Sequence, residues 1–143
     1  MKRACVIGWP IEHSRSPIIH GYWLKKYGID GVYSKEAVKP DDVAAFLRSL
    51  NARGLAGCNV TVPHKEVAYA VADVKEDSAR AVTAANTVWL DGNKIVCANT
   101  DTYGFMTHLA ASAPDWRRSR VYHVPRRWRD HQRLGAALDR AGL

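Results

Sequence analysis

The chain has 143 residues, 47% of them apolar, which is enough for one domain with a core and too apolar for a wholly disordered chain. No apolar run approaches the ~18 residues that a membrane-spanning helix needs, and Met1-Lys2-Arg3-Ala4-Cys5-Val6-Ile7 enters a strand-like run directly, without the pattern of a secretory signal. The net charge of +7 is uneven: residues 1–116 hold 13 Lys and Arg against 12 Asp and Glu, whereas residues 117–143 hold 8 Arg against 2 Asp, which argues against a nucleic-acid-binding face on the main body.

Arg3 to Gly8 reads as a short buried strand ended by glycine. Ser16-Pro17 starts a helix, serine as N-cap and proline at the first helical position, and Gly28 stops it just after Tyr27. A second strand covers Val32 to Val38. Lys39-Pro40-Asp41-Asp42 opens a second helix with Val43, Phe46, Leu47 and Leu50 at helical spacing. Leu55 to Val62 is a third strand halted by Pro63, His64 to Val71 a short helix, and Glu76 to Val82 another. Thr87 to Leu90 and Lys94 to Ala98 form a β-hairpin whose two-residue turn signal is Asp91-Gly92. Thr102 to Ala111 closes the series as a helix. This order predicts an α/β domain over residues 1–116, with a mainly parallel open sheet, flanking helices and an added hairpin. Residues 117–143 lose all clear periodicity and read as an irregular, Arg-rich tail, with one short amphipathic helix allowed over 132–143. The tail is expected to be solvated and unstructured; binding of nucleic acid through it is the rival reading.

Cys5, Cys58 and Cys97 are odd in number and form no C-x-x-C pair, so they read as three buried free thiols of a reducing, cytoplasmic protein. The six histidines show no metal-ligand spacing, and neither a phosphate-binding Walker loop nor G-x-G-x-x-G occurs. Polar side chains gather where apolar runs end. Ser14 and Ser16 precede a helix start, whose free N–H groups and two hydroxyls would cradle a carboxylate; the plain alternative is a cap and a loop residue. Asn59 and Thr61 leave the same face of their strand and suit hydroxyl recognition. Lys65 stands in a first helical turn, where its charge opposes the helix dipole without local benefit. Asn86 begins the hairpin. Asp101 ends it, either as an N-cap or as a carboxylate partner of Lys65 that helps shuttle a proton to a substrate oxygen. Together these groups suit a compact, polyhydroxylated, anionic ligand.

Gly8-Trp9-Pro10-Ile11 with His13-Ser14-Arg15-Ser16-Pro17, then Asn59 through Lys65, Ala85-Asn86-Thr87, and Asn99-Thr100-Asp101 with Gly104, resemble shikimate dehydrogenases in their N-terminal substrate-binding half. The resemblance covers residues 1–116 and implies NADP-dependent interconversion of 3-dehydroshikimate and shikimate in aromatic amino acid biosynthesis. It implies carboxylate binding by Ser14 and Ser16, hydroxyl binding by Asn59, Thr61, Asn86 and Asp101, proton transfer by Lys65 with Asp101, and a cofactor-facing Asp77. Relatives acting on quinate, and a non-catalytic shikimate-binding or regulatory module, are the alternatives; a homodimer or pairing with a full-length relative would fit either. The family continues into an NADP-binding domain with a glycine-rich turn. Residues 121–143 carry none, so the chain reads as a truncated product whose tail resembles an out-of-frame sequence, inactive alone for lack of that domain.

Overall fold

Six strands join into one sheet in the computed structural model, which describes residues 1–116; the Arg-rich segment and the short helix expected over 132–143 lie outside the described residues. In chain order the elements are β1 (Lys2–Gly8), α1 (Ser16–Lys26), β2 (Gly31–Ala37), α2 (Val43–Arg48), β3 (Gly57–Val60), α3 (Lys65–Val71), β4 (Val74–Lys75), α4 (Asp77–Val82), β5 (Thr87–Asp91), β6 (Lys94–Ala98) and α5 (Asp101–Ser112). The spatial order is β2-β1-β3-β5-β6-β4. β1 pairs in parallel with β2 and β3, and β4 with β6, while β5 runs antiparallel to both β3 and β6. The mainly parallel α/β sheet with an added hairpin is therefore the observed architecture.

Alternation along the strands separates two faces. Cys5 and Ile7 of β1, Cys58 and Val60 of β3, Val88 of β5 and Cys97 of β6 point into one core with Val43, Leu47 and Leu50 from the α2 region and Ala68 from α3. Ile7, Leu47, Leu50 and Val43 are fully buried, each worth ~1.5–3 kcal/mol in removal from water. The opposite face carries Ala4, Tyr33, Asn59 and Thr87, with α1 lying against β2 and β1.

Several boundaries differ from expectation for local reasons. Ser16 is the first residue of α1, and Arg15 takes the cap position, where its carbonyl accepts from Ile18 and Ile19 without any side-chain cap. The second helix begins as a single 3₁₀ turn, Pro40–Asp42, and its last apolar position, Leu50, is buried beyond the end of α2. β3 ends at Val60, yet the Thr61 N–H still donates to the Ile7 carbonyl at 3.0 Å. The hairpin loop is Gly92-Asn93, because Asp91 pairs with Lys94; Gly92 supplies the positive φ of 57° that this turn needs. β4 has only two residues, too few for any alternation to announce it. Cys5, Cys58 and Cys97 are buried free thiols; the Cys5 hydrogen bond and then burial push the Cys58 thiol well up.

Candidate active site

The C-terminal ends of β1 and β3 lie side by side, and the loops leaving them set the site. Gly8 lets these loops close: a Cβ there would stand 2.7 Å from Thr61 Cγ2 and 2.8 Å from Ile11 Cδ1. Beyond β3, the His64 N–H donates to the Thr61 carbonyl at 3.0 Å, and the His64 ring, almost wholly buried, places Nε2 2.7 Å from the Val38 carbonyl. That side chain anchors the turn from which α3 starts, and Lys65 is the first residue of α3.

Lys65 Nζ donates to Asp101 Oδ2 at 2.6 Å. The lysine side chain is 17% exposed and the aspartate 41%, so the pair sits at the edge of solvent with the cation the more enclosed partner. Thr100, not Asp101, occupies the cap position of α5, and Asp101 opens the helix, where the helix dipole favours a negative charge. Its second oxygen, Oδ1, accepts from Asn86 Nδ2 at 2.9 Å. The Asp101 N–H donates to Asn99 Oδ1 at 2.9 Å, and the buried Asn99 donates in turn to the Ala84 carbonyl at 3.0 Å, which ties the start of α5 to the approach to β5. From the other side, Ala85 N–H donates to the Lys65 carbonyl at 2.8 Å.

Asn86 also donates to Thr100 Oγ1 at 2.8 Å and accepts from the Thr100 N–H at 3.1 Å and from Thr87 Oγ1 at 3.0 Å. Asn59, directly opposite Thr87 in the ladder, donates to Thr87 Oγ1 at 3.3 Å and to the Asn86 carbonyl at 3.4 Å. Lys65, Asp101, Asn86 and Asn59 thus form one network. Thr61 stands at the same strand end with its hydroxyl outside that network. Ser14 Oγ accepts weakly from the Ser16 N–H at 3.4 Å, and neither hydroxyl is used as a helix cap. Asp77 is exposed in the first turn of α4, and its neighbour Ser78 accepts from the Asn99 N–H at 3.1 Å.

Two further residues were not singled out from the sequence. Tyr33 donates through its hydroxyl to Asn59 Oδ1 at 2.6 Å, and His20 of α1 stacks on the Tyr33 ring at 3.9 Å with an interplanar angle of 15°. The available signal was the small residues around Tyr33: Ala4 is its ladder partner, and Ala4 in turn pairs with Gly57, which leaves room on that face for an aromatic ring. Among the described residues, no three His, Cys, Asp or Glu side chains gather as metal ligands.

Fold and site together define an open-sheet α/β domain that presents an ammonium–carboxylate pair among neutral amides at its strand ends. Residues 6–88 match the family model for the shikimate dehydrogenase substrate binding domain, and the chain belongs to that family. It is 55% identical over 115 residues to a shikimate dehydrogenase (NADP(+)) of Brucella abortus, covering 80% of this chain and 40% of that protein. A shikimate dehydrogenase (NADP(+)) of Rhodopseudomonas palustris is 52% identical over 118 residues, with 82% and 42% covered. The chain thus spans about 40% of the length of these curated relatives. Among solved structures, the Thermus thermophilus shikimate 5-dehydrogenase in complex with shikimate aligns with a TM-score of 0.78 at 29% identity, covering 100% of this chain and 54% of that one. Shikimate dehydrogenase of Aquifex aeolicus aligns with a TM-score of 0.75 at 32% identity, covering 80% and 43%.

Proposed function

We propose that this domain binds shikimate and 3-dehydroshikimate, with Ser14 and Ser16 toward the carboxylate and Asn59, Thr61, Asn86 and Asp101 toward the ring hydroxyls. Lys65 is the proton donor and acceptor at the oxygen that alternates between ketone and alcohol. The observation that carries this reading is the 2.6 Å Lys65–Asp101 contact, built into the same network as Asn86 and Asn59. Asp101 holds the ammonium where a ligand oxygen would meet it. Asn86 fixes the carboxylate, so the lysine has one place to deliver its proton.

Interconverting ketone and alcohol also moves a hydride: NADP(+), the cofactor named for the relatives, would accept it from the alcohol, and its reduced form would return it to the ketone. The loops after β1 and β3, Gly8-Trp9-Pro10 and Val62-Pro63-His64, lack the paired glycines that bring a backbone against a pyrophosphate, so they do not fit the dinucleotide. Asp77 is the one residue of this chain assigned to the cofactor side, by resemblance. The expected activity of the chain alone is therefore ligand binding without turnover. In this reading residues 1–116 are the substrate-binding domain and 117–143 a separate tail. The protein works in the cytoplasm on a small molecule, with neither nucleic acid nor membrane as partner, and a homodimer or a pairing with a full-length relative fits this reading. No helix among the described residues is long and apolar enough to cross a membrane.

The test is an assay of the purified chain with shikimate and NADP(+), followed by nicotinamide absorbance, alongside a shikimate titration. Binding without absorbance change is the expected result. Sustained NADP reduction would overturn the claim of inactivity, and no saturable binding would overturn the ligand assignment.

A further inference from the structure

We propose that Tyr33, steadied by His20, is a positioning residue: it is the first donor of a one-way hydrogen-bond chain that ends on Asp101, and it holds Asn59, and through it Asn86, in the orientation in which they meet a ligand. The inference deepens the shikimate-binding reading and rests on it for the identity of the ligand, but not for the geometry.

The direction of the chain follows from groups that can play only one role. The Asn86 carbonyl only accepts, so the Asn59 nitrogen must face it, at 3.4 Å, which turns Asn59 Oδ1 toward Tyr33. Tyr33 therefore donates to Asn59 Oδ1, at 2.6 Å. At the other end the Asp101 carboxylate only accepts, so the Asn86 nitrogen faces it, at 2.9 Å. The Thr100 N–H only donates, so Asn86 Oδ1 faces that amide, at 3.1 Å. Between the two amides, Thr87 Oγ1 accepts from Asn59 Nδ2 at 3.3 Å and donates to Asn86 Oδ1 at 3.0 Å. Along the path Tyr33, Asn59, Thr87, Asn86, Asp101 each side-chain donor thus points toward Asp101, and bonds aligned in this sense polarise one another.

Tyr33 suits a permanent donor. Burial, and then the neighbouring Cys5 and Cys58 thiols, push its phenol up, so it keeps its proton. The His20 ring lies flat against it and stands edge-on to Trp23 at 5.3 Å. His20 Nδ1 lies 3.2 Å from the Ser16 carbonyl, an acceptor, so that nitrogen carries the proton. The same ring therefore joins the Ser14–Ser16 helix start to the amide network.

The experiment uses the full chain and its Tyr33→Phe, Asn59→Ala and double variants, with thermal unfolding as the check on folding. Tyr33→Phe is expected to shift the side-chain amide NMR resonances of both Asn59 and Asn86, and to weaken shikimate binding by about three- to tenfold. In the Asn59→Ala background it is expected to weaken binding no further. Unmoved amide resonances, or an equal loss of affinity in that background, would overturn the proposal. If the wild-type chain binds no shikimate, the ligand reading fails and the amide resonances alone decide the positioning claim. Should Tyr33→Phe not fold, His20→Gln, which removes the stacked ring and its bond to the Ser16 carbonyl but keeps the Tyr33 hydroxyl, must shift the same two amides; if it leaves them in place, the proposal fails.

Discussion

Lys65 and Asp101 lie 36 positions apart and meet because one opens α3 and the other opens α5, two helices that start from the same rim of the sheet. Each helix start had a plain explanation available in the sequence, a solvated lysine and a capping aspartate. The structure removes the second: Thr100 holds the cap, and the carboxylate faces Lys65 and Asn86. Because Asp101 remains partly solvated, the pair itself is worth only ~1 kcal/mol or less. Asp101→Asn is expected to lower urea stability by about that amount, while affinity for shikimate falls more steeply, since the lysine loses its fixed position. His20 gives a second expectation. Burial lowers its affinity for a proton below the ordinary 6.5, so the unfolded chain takes up a proton there before the folded one does. The stability this residue contributes is thus present above about pH 6.5 and is lost as pH falls through the lowered folded value. Tyr33 is the titratable group stacked against it. His20→Gln should flatten that part of the stability–pH curve in urea titrations; an unchanged curve would count against the assignment.

At the scale of elements, close packing between strands holds the site in register. Gly57 of β3 faces β5 so tightly that an added Cβ would lie 2.4 Å from the Val88 carbonyl and 3.0 Å from Trp89 Cα, both backbone atoms that cannot turn away. Gly57→Ala is expected to cost ~3 kcal/mol and to pull Asn59 away from Thr87, two residues further along the same ladder. On the other face, Leu47→Ala in the fully buried wall of α2 should cost ~2–5 kcal/mol, with the Asn59 and Asn86 amide resonances unmoved, because that core lies across the sheet from the network. The strands and helices were legible where hydrophobic spacing is strong, as in Arg3–Gly8 and Val43–Leu50. They were less legible where a boundary depends on tertiary contact. Ser16 looks like a cap in isolation, but the Arg15 carbonyl closes the first turn instead. β4 exists only because Val74 and Lys75 find β6 beside them.

For the molecule as a whole, one core within residues 1–116 supports one site, and the sequence motifs marked most of that site before any geometry was known. Lys65, Asp101, Asn86 and Asn59 come together as their positions at strand ends implied. Tyr33 and His20 escaped notice because an aromatic in a strand and a histidine in a helix carry no motif; only the sheet register, which sets Ala4 beside Tyr33, and the stacking of α1 reveal them. The most direct measurement of the central claim is a calorimetric titration of shikimate into the full chain and into its Asn86→Ala variant. One-to-one saturable binding to the wild type, weakened at least about tenfold in the variant as its link to Asp101 is lost, is the predicted result. Absence of saturable heat with the wild type, or equal affinity in the two proteins, would contradict it.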